Sequence, residues 1–189
     1  MAYLMSHTAK LAEARLVIIL GSPASGKTTL AQALGLQWSV PVFCKDDVKE
    51  ALFEALGQGD RAWSRRLSEA SFTTLVRLAQ RQLSLGQSCI VEGNWRAVNV
   101  PGLEPVLHAC AARAVQIWCC ADPAEIVRRF MARSRHAGHL DALMPPEELE
   151  RSAREAPGFL ELEGPRFVFR SDMPDAFDAL LCALQSSPL

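Results

Sequence analysis

Between a run of apolar residues and a helix-like stretch the chain reads Gly21-Ser22-Pro23-Ala24-Ser25-Gly26-Lys27-Thr28, with Thr29 directly after. Two glycines five positions apart, then a lysine and a hydroxyl residue, are the requirements for wrapping main chain around a polyphosphate. The glycines allow a tight turn and close backbone approach. Successive N–H groups of the loop and of the first helical turn can then converge on phosphate oxygens. Lys27 would bring a mobile positive charge to the β- and γ-phosphates, and the Thr28 hydroxyl is suited to Mg²⁺. The context fits, because Val17-Ile18-Ile19-Leu20 is a continuous, largely β-branched run that leads into the loop. Such a run is the pattern of a strand buried on both faces.

Binding a polyphosphate is not yet a reaction, and three further groups supply candidates for one. Val40-Pro41-Val42-Phe43-Cys44 reads as a second strand and ends in Lys45-Asp46-Asp47-Val48-Lys49. Ligands of open α/β sheets sit outside the carboxyl ends of the strands. A carboxylate there could take a proton from an attacking hydroxyl, which makes Asp46 the candidate base. Asp47 suits an N-cap of the next helix, and spacing alone does not separate the two roles. A third strand ends in Glu92-Gly93-Asn94-Trp95-Arg96, where Glu92 could hold a Mg²⁺-bound water or touch an acceptor. Asn94 and Arg96 could contact the same acceptor. On a helix over 123–135, Arg129 and Arg133 fall together on one edge of an apolar stripe of Ile126, Val127, Phe130 and Met131. They could neutralise charge on a transferring phosphoryl group, while Arg128 and Arg135 point away. The stretch from Ser134 to Asp141 reads as a loop that could close over a bound ligand; His136, His139 and Asp141 are not preorganised for a metal there.

The elements that must position these groups alternate. Apolar strand-like segments occur at 15–20, 40–44, 88–92, 114–120 and 166–170. Helix-like stretches lie at 28–37, 48–56, 61–85 and 123–135, with a short helix after Pro145-Pro146 and a last one over 175–185. In the long helix Phe72, Val76, Ala79 and Leu83 share a face, with Leu75 and Leu78 beside them and Arg77 and Arg81 outside. Asp122 and Pro123 open the fifth helix as N-cap and first helical residue. This alternation argues an α/β protein with a parallel sheet covered on both sides. A single domain over 15–189 is expected, with 1–14 a flexible lead-in and a lid region at about 128–145.

At 189 residues and 49% hydrophobic, the chain can bury a core. A net charge of −1 gives no global basic field and no clear nucleic-acid surface. The six cysteines, at 44, 89, 110, 119, 120 and 182, form no CxxC pair and read as reduced thiols of a cytoplasmic protein. No stretch is long and apolar enough to span a membrane.

Together these motifs resemble the small kinases built on a P-loop, above all the zeta-toxin, polynucleotide-kinase and chloramphenicol-phosphotransferase group of AAA-type ATP-binding proteins. The resemblance rests on Gly21 to Thr29, Lys45 to Lys49, Glu92-Gly93-Asn94, and the run from Arg128 to His139. It implies a three-layer P-loop NTPase fold with a five-stranded parallel sheet, and ATP with Mg²⁺ as the ligands. It implies Asp46 as general base and Lys49 as a contact to the acceptor, where lysine stands in place of the usual arginine. Lid arginines on the γ-phosphate would be Arg129 and Arg133, with adenine near Arg170-Ser171-Asp172. The expected reaction moves the γ-phosphate to a hydroxyl of a small-molecule or nucleotide acceptor. The competing reading is an ATPase or nucleotide-dependent binding module. A GTPase is disfavoured because neither a guanine-reading NKxD nor a DxxG segment occurs. Leu83-Ser84-Leu85-Gly86-Gln87 echoes a transporter signature but closes a helix rather than opening one.

Overall fold

The computed structural model describes residues 14–133, 136, 139, 145–154 and 158–186. Five parallel strands form one sheet in the order β2-β3-β1-β4-β5: β1 Arg15–Gly21, β2 Val42–Cys44, β3 Cys89–Glu92, β4 Arg113–Cys120 and β5 Arg166–Arg170. β1 lies at the centre because Leu16, Ile18, Ile19 and Leu20 are wholly buried, as a strand covered on both faces must be. Its alternation divides the core. Leu16, Ile18 and Leu20 pack with Leu75, Ala79, Leu83 and Leu103 on one face. Val17 and Ile19 pack with Leu30, Leu34, Leu180 and Leu184 on the other. The first layer is made by α3 (Arg61–Ser84) and α4 (Val100–Ala109), the second by α1 (Lys27–Trp38) and α7 (Ala176–Ser186). At the edge, β5 alternates between half-buried and exposed residues.

Several local readings need correction. The helix expected from Val48 begins at Lys45 (α2, Lys45–Leu56), with Cys44 at the N-cap position. Asp47 is therefore not the N-cap; both Asp46 and Asp47 lie in the first turn, where their charge complements the helix dipole. In α3 the buried line is Ser64, Leu67, Ser71, Leu75, Ala79 and Leu83, while Leu78 is exposed. Phe72 and Val76 are only half-buried because they flank the stripe centred on Leu75. α4 is absent from the sequence reading, since Pro101, Gly102 and Pro105 look like loop chemistry. Pro101 sits in its first turn, where no N–H is needed, and Pro105 is carried inside the helix. Helix α5 runs only Pro123–Ala132, so Arg133 leaves it at an extended C-cap and Met131 points to solvent. α6 spans Pro146–Arg154 and packs Leu149 against Ile126 and Phe130 of α5. Ala14 belongs to the folded unit rather than to a lead-in: it is buried and its carbonyl accepts from the Arg113 amide.

One interior polar residue holds the long connection before β5. Gln116 of β4 is fully buried. Its amide donates to the carbonyls of Leu160 and Leu162 and accepts from the Leu160 N–H at 2.7 Å. A buried amide with these partners satisfies main chain that no strand neighbour reaches. Among the described residues all six cysteines are free thiols, and no helix is long and apolar enough to cross a membrane.

Candidate functional site

The loop from Gly21 to Lys27 closes where β1 ends, between the carboxyl ends of β3 and β4, at the point where the strand order turns about β1. Its conformation explains its glycines. Gly26 has φ 90° and precedes α1 as its N-cap, and a Cβ there would lie 2.9 Å from Ser171 Cβ. A Cβ at Gly21 would overlap the Cys119 carbonyl on the neighbouring strand. Ala24 also takes a left-handed φ of 61°. The loop therefore leaves no space for side chains at Gly21 and Gly26.

Lys27 is buried; its Nζ donates to the Ser22 carbonyl at 2.8 Å and stands 4.0 Å from Glu92 Oε1. The Thr28 hydroxyl donates to Glu92 Oε2 at 3.0 Å. Strand pairing sets this meeting, since Ile19 of β1 is opposite Glu92 of β3. Burial lowers the Lys27 ammonium below its ordinary pKa, with Glu92 pulling the other way. The Glu92 carboxyl is raised, again chiefly by burial, against the opposing pull of Lys27 and the Thr28 hydrogen bond. Two charges that burial disfavours thus face each other.

These residues front a cleft of about 870 Å³. The phosphate-loop residues other than Ser25 line it, as do Thr29, Asp46, Lys49, Glu92, Asn94, Arg96, Arg129 and Arg133; Ser25 is wholly buried, and Asp47, Arg170 and Asp172 are not part of the lining. Ser25 Oγ has no hydrogen-bond partner among the described residues, and neither does Trp95 Nε1. An anion-accepting cradle with an orphaned hydroxyl, a buried ammonium and an exposed threonine at the helix start is chemically matched to a polyphosphate and a divalent cation. Thr28 and Glu92 supply hard oxygen donors of the kind Mg²⁺ prefers.

On the β2 side of the cleft, Asp46 is partly exposed and accepts from Lys45 Nζ at 3.0 Å. Lys49 is buried, donates to Ser64 Oγ at 2.9 Å and lies 5.3 Å over the Phe53 ring. Asn94 is half-buried and Arg96 exposed. On the other side the two arginines differ. Arg129 donates to Glu125, to Ser171 Oγ at 2.8 Å and to the Ser171 carbonyl at 3.2 Å, so it ties α5 to the turn after β5. Arg133 is exposed, with its guanidinium 5.2 Å over Phe130. Arg128 points outward and pairs with Glu125. The turn itself is anchored: Asp172 accepts from Arg170 and from the Asp122 amide, and the Arg170 hydrogen bond is the main cause holding its carboxyl well below the ordinary range. Residues 134, 135, 137, 138 and 140–144, with Arg135 and Asp141 among them, lie outside the described residues. Of the histidines between them, His139 is buried against Glu50 at 2.8 Å, and His136 stacks on Phe53. No group of three or more metal-ligating side chains occurs among the described residues. Sequence reasoning missed Lys45, Trp118 and Phe177 as cleft residues; nothing in their spacing separates them from core or surface positions.

A family model described as an AAA domain matches residues 16–155, and the chain belongs to that family. Its architecture is that of the P-loop kinases, a class whose fold implies nucleotide binding. Among solved structures it is similar to a candidate kinase of Chloroflexus aurantiacus, at 32% identity and a TM-score of 0.83, covering 92% of this chain and 98% of that one. It shares its fold with a sugar kinase from Janibacter sp., at 17% identity, TM-score 0.62 and coverage of 93% and 96%. The same holds for the Mycobacterium tuberculosis APS kinase in complex with AMPPNP and APS, at 17% identity, TM-score 0.54 and coverage of 92% and 99%. Uncharacterized proteins of Mycobacterium tuberculosis and Mycobacterium bovis are 28% identical over 148 residues, 69% of this chain. The chain spans only 28% of the length of those curated relatives.

Proposed function

We propose that the chain transfers the γ-phosphoryl group of ATP to a hydroxyl of a small-molecule or nucleotide acceptor. The observation that carries this reading is that Asp46, at the carboxyl end of β2, lines the same cleft as Lys27 and Thr28 and lies within electrostatic reach of Lys27. A carboxylate so placed beside a phosphate cradle is suited to take the proton of an attacking hydroxyl.

In this mechanism the loop amides and Lys27 bind the β- and γ-phosphates, and the turn at Arg170-Ser171-Asp172 borders the adenine. Thr28 and Glu92 would hold Mg²⁺, which would neutralise phosphate charge when bound. Lys49, Asn94 and Arg96 orient the acceptor. Its hydroxyl oxygen attacks Pγ as Asp46 takes the proton, the bond from Pγ to the bridging oxygen breaks, and ADP leaves. Arg133 supplies charge to the transferring group, while Arg129 acts from the nucleotide side through its hold on Ser171. ATP is favoured over GTP because no guanine-reading segment accompanies the loop.

The test is a metabolite screen for acceptor-dependent ADP release, followed by Asp46→Asn. The variant should keep Mg-ATP affinity while transfer falls by about 100-fold or more. Unchanged turnover in Asp46→Asn refutes the base assignment. ADP release indifferent to every acceptor would favour the ATPase or binding-module reading.

A further inference from the structure

We propose that Lys45 is a positioning residue for phosphoryl transfer, aiming the Asp46 carboxylate, and that Gly93 is glycine to let it do so. The inference rests on Asp46 being the base. Lys45 opens α2 and is 6% exposed, yet it lines the cleft. A buried ammonium must be compensated, and its Nζ donates to Asp46 Oδ1 at 3.0 Å. Neighbouring residues on a helix point about 100° apart and do not ordinarily face each other. The Lys45 side chain must therefore bend around the first turn of α2 to reach Asp46.

The turn after β3 borders that path. A Cβ on Gly93 would lie 3.0 Å from Lys45 Cβ, 3.6 Å from Lys45 Cγ and 3.3 Å from Phe72 Cε1. Gly93 is not among the residues of positive φ, so the demand for glycine there comes from its neighbours. Lys45 Cβ is held by the helix, so a side chain at 93 would have to press the start of α2 and the turn after β3 apart by a few tenths of an ångström, carrying Lys45 with it. The motif Glu92-Gly93-Asn94 and the motif Lys45-Asp46 thus act as one unit. Asp46 also lies in the field of Lys27, Glu92 and Asp47, two of which repel its negative charge, and direct contact with Lys45 opposes them.

The experiment follows the Asp46 carboxyl carbon by ¹³C NMR titration in nucleotide-free protein, the resonance being assigned by its loss in Asp46→Asn. Lys45→Met and Gly93→Ala should both move its titration midpoint upward, and Lys45→Arg should stay near wild type. In Mg-ATP turnover, with water or an acceptor from the screen, Lys45→Met should lower kcat about 10-fold with KM for ATP unchanged. The acid limb of its pH profile should move with the NMR midpoint. Thermal melts confirm that each variant is folded. A midpoint unmoved in Lys45→Met overturns the proposal, as does Gly93→Ala matching wild type in midpoint and rate. An Asp46→Asn enzyme with wild-type turnover overturns the base assignment beneath it, and that failure is read from kinetics rather than from the titration.

Discussion

Lys27 and Glu92 are each buried, and for each the largest influence on its pKa is the loss of water rather than the partner. Their separation of 4.0 Å corresponds to an attraction of about 4 kcal/mol at an effective dielectric near 20. Desolvation cancels much of it, so removing one charge should cost more than removing both. Lys27→Met and Glu92→Gln, singly and together, can be compared by urea denaturation of ligand-free protein. The expected coupling is about 1–3 kcal/mol, with the double variant at least as stable as the worse single one. The pH slopes should have opposite signs. Lys27→Met leaves a carboxyl whose folded pKa, already raised, rises further; folded protein then holds a proton that unfolded protein has released. Its stability is full below the ordinary glutamate range and falls as pH climbs through the folded value. Glu92→Gln leaves an ammonium whose lowered pKa drops further, so stability grows as pH rises toward the ordinary lysine range. Coupling below about 0.5 kcal/mol, or slopes of the same sign, would refute the account of two mutually dependent buried charges.

Gly26→Ala forces a Cβ into a left-handed turn against Ser171 and should cost about 1–2 kcal/mol with near-complete loss of nucleotide binding, measured by thermal melts and calorimetry. Gln116→Leu leaves the buried Leu160 N–H without its partner, while the Leu160 and Leu162 carbonyls keep Arg166, and should destabilise by about 1–3 kcal/mol in chemical denaturation, whereas Gln116→Glu should lose most at high pH, where its charge is buried. Asp172→Asn removes a carboxyl held below its ordinary value. Wild type should lose about 1 kcal/mol as pH falls from the ordinary aspartate range through the folded value, and the variant should lack that acid-limb loss in pH-dependent melts.

The phosphate loop was legible because its demands are local: glycine where a Cβ would strike Cys119 or Ser171, lysine and threonine at the first helical turn, an apolar strand before them. The strands were legible for a related reason, since a strand buried on both faces is apolar throughout. α4 escaped because its prolines read as loop chemistry and only its packing through Leu103 and Val106 makes it a helix. Spacing does not separate Asp46 from Asp47; only the start of α2 at Lys45 shows that neither is its N-cap, and only the packing puts Asp46 on the cleft.

By itself the sequence determined the phosphate cradle, the alternation of strands and helices, and the charged residues available for chemistry, because each depends on neighbours a few positions apart. Only the tertiary structure decided that Glu92 meets Lys27 and Thr28, that Arg129 binds Ser171 while Arg133 leaves the helix, and that Gly93 makes room for Lys45. Those contacts join residues tens of positions apart through strand register and helix packing, and no local periodicity encodes a distance across a sheet.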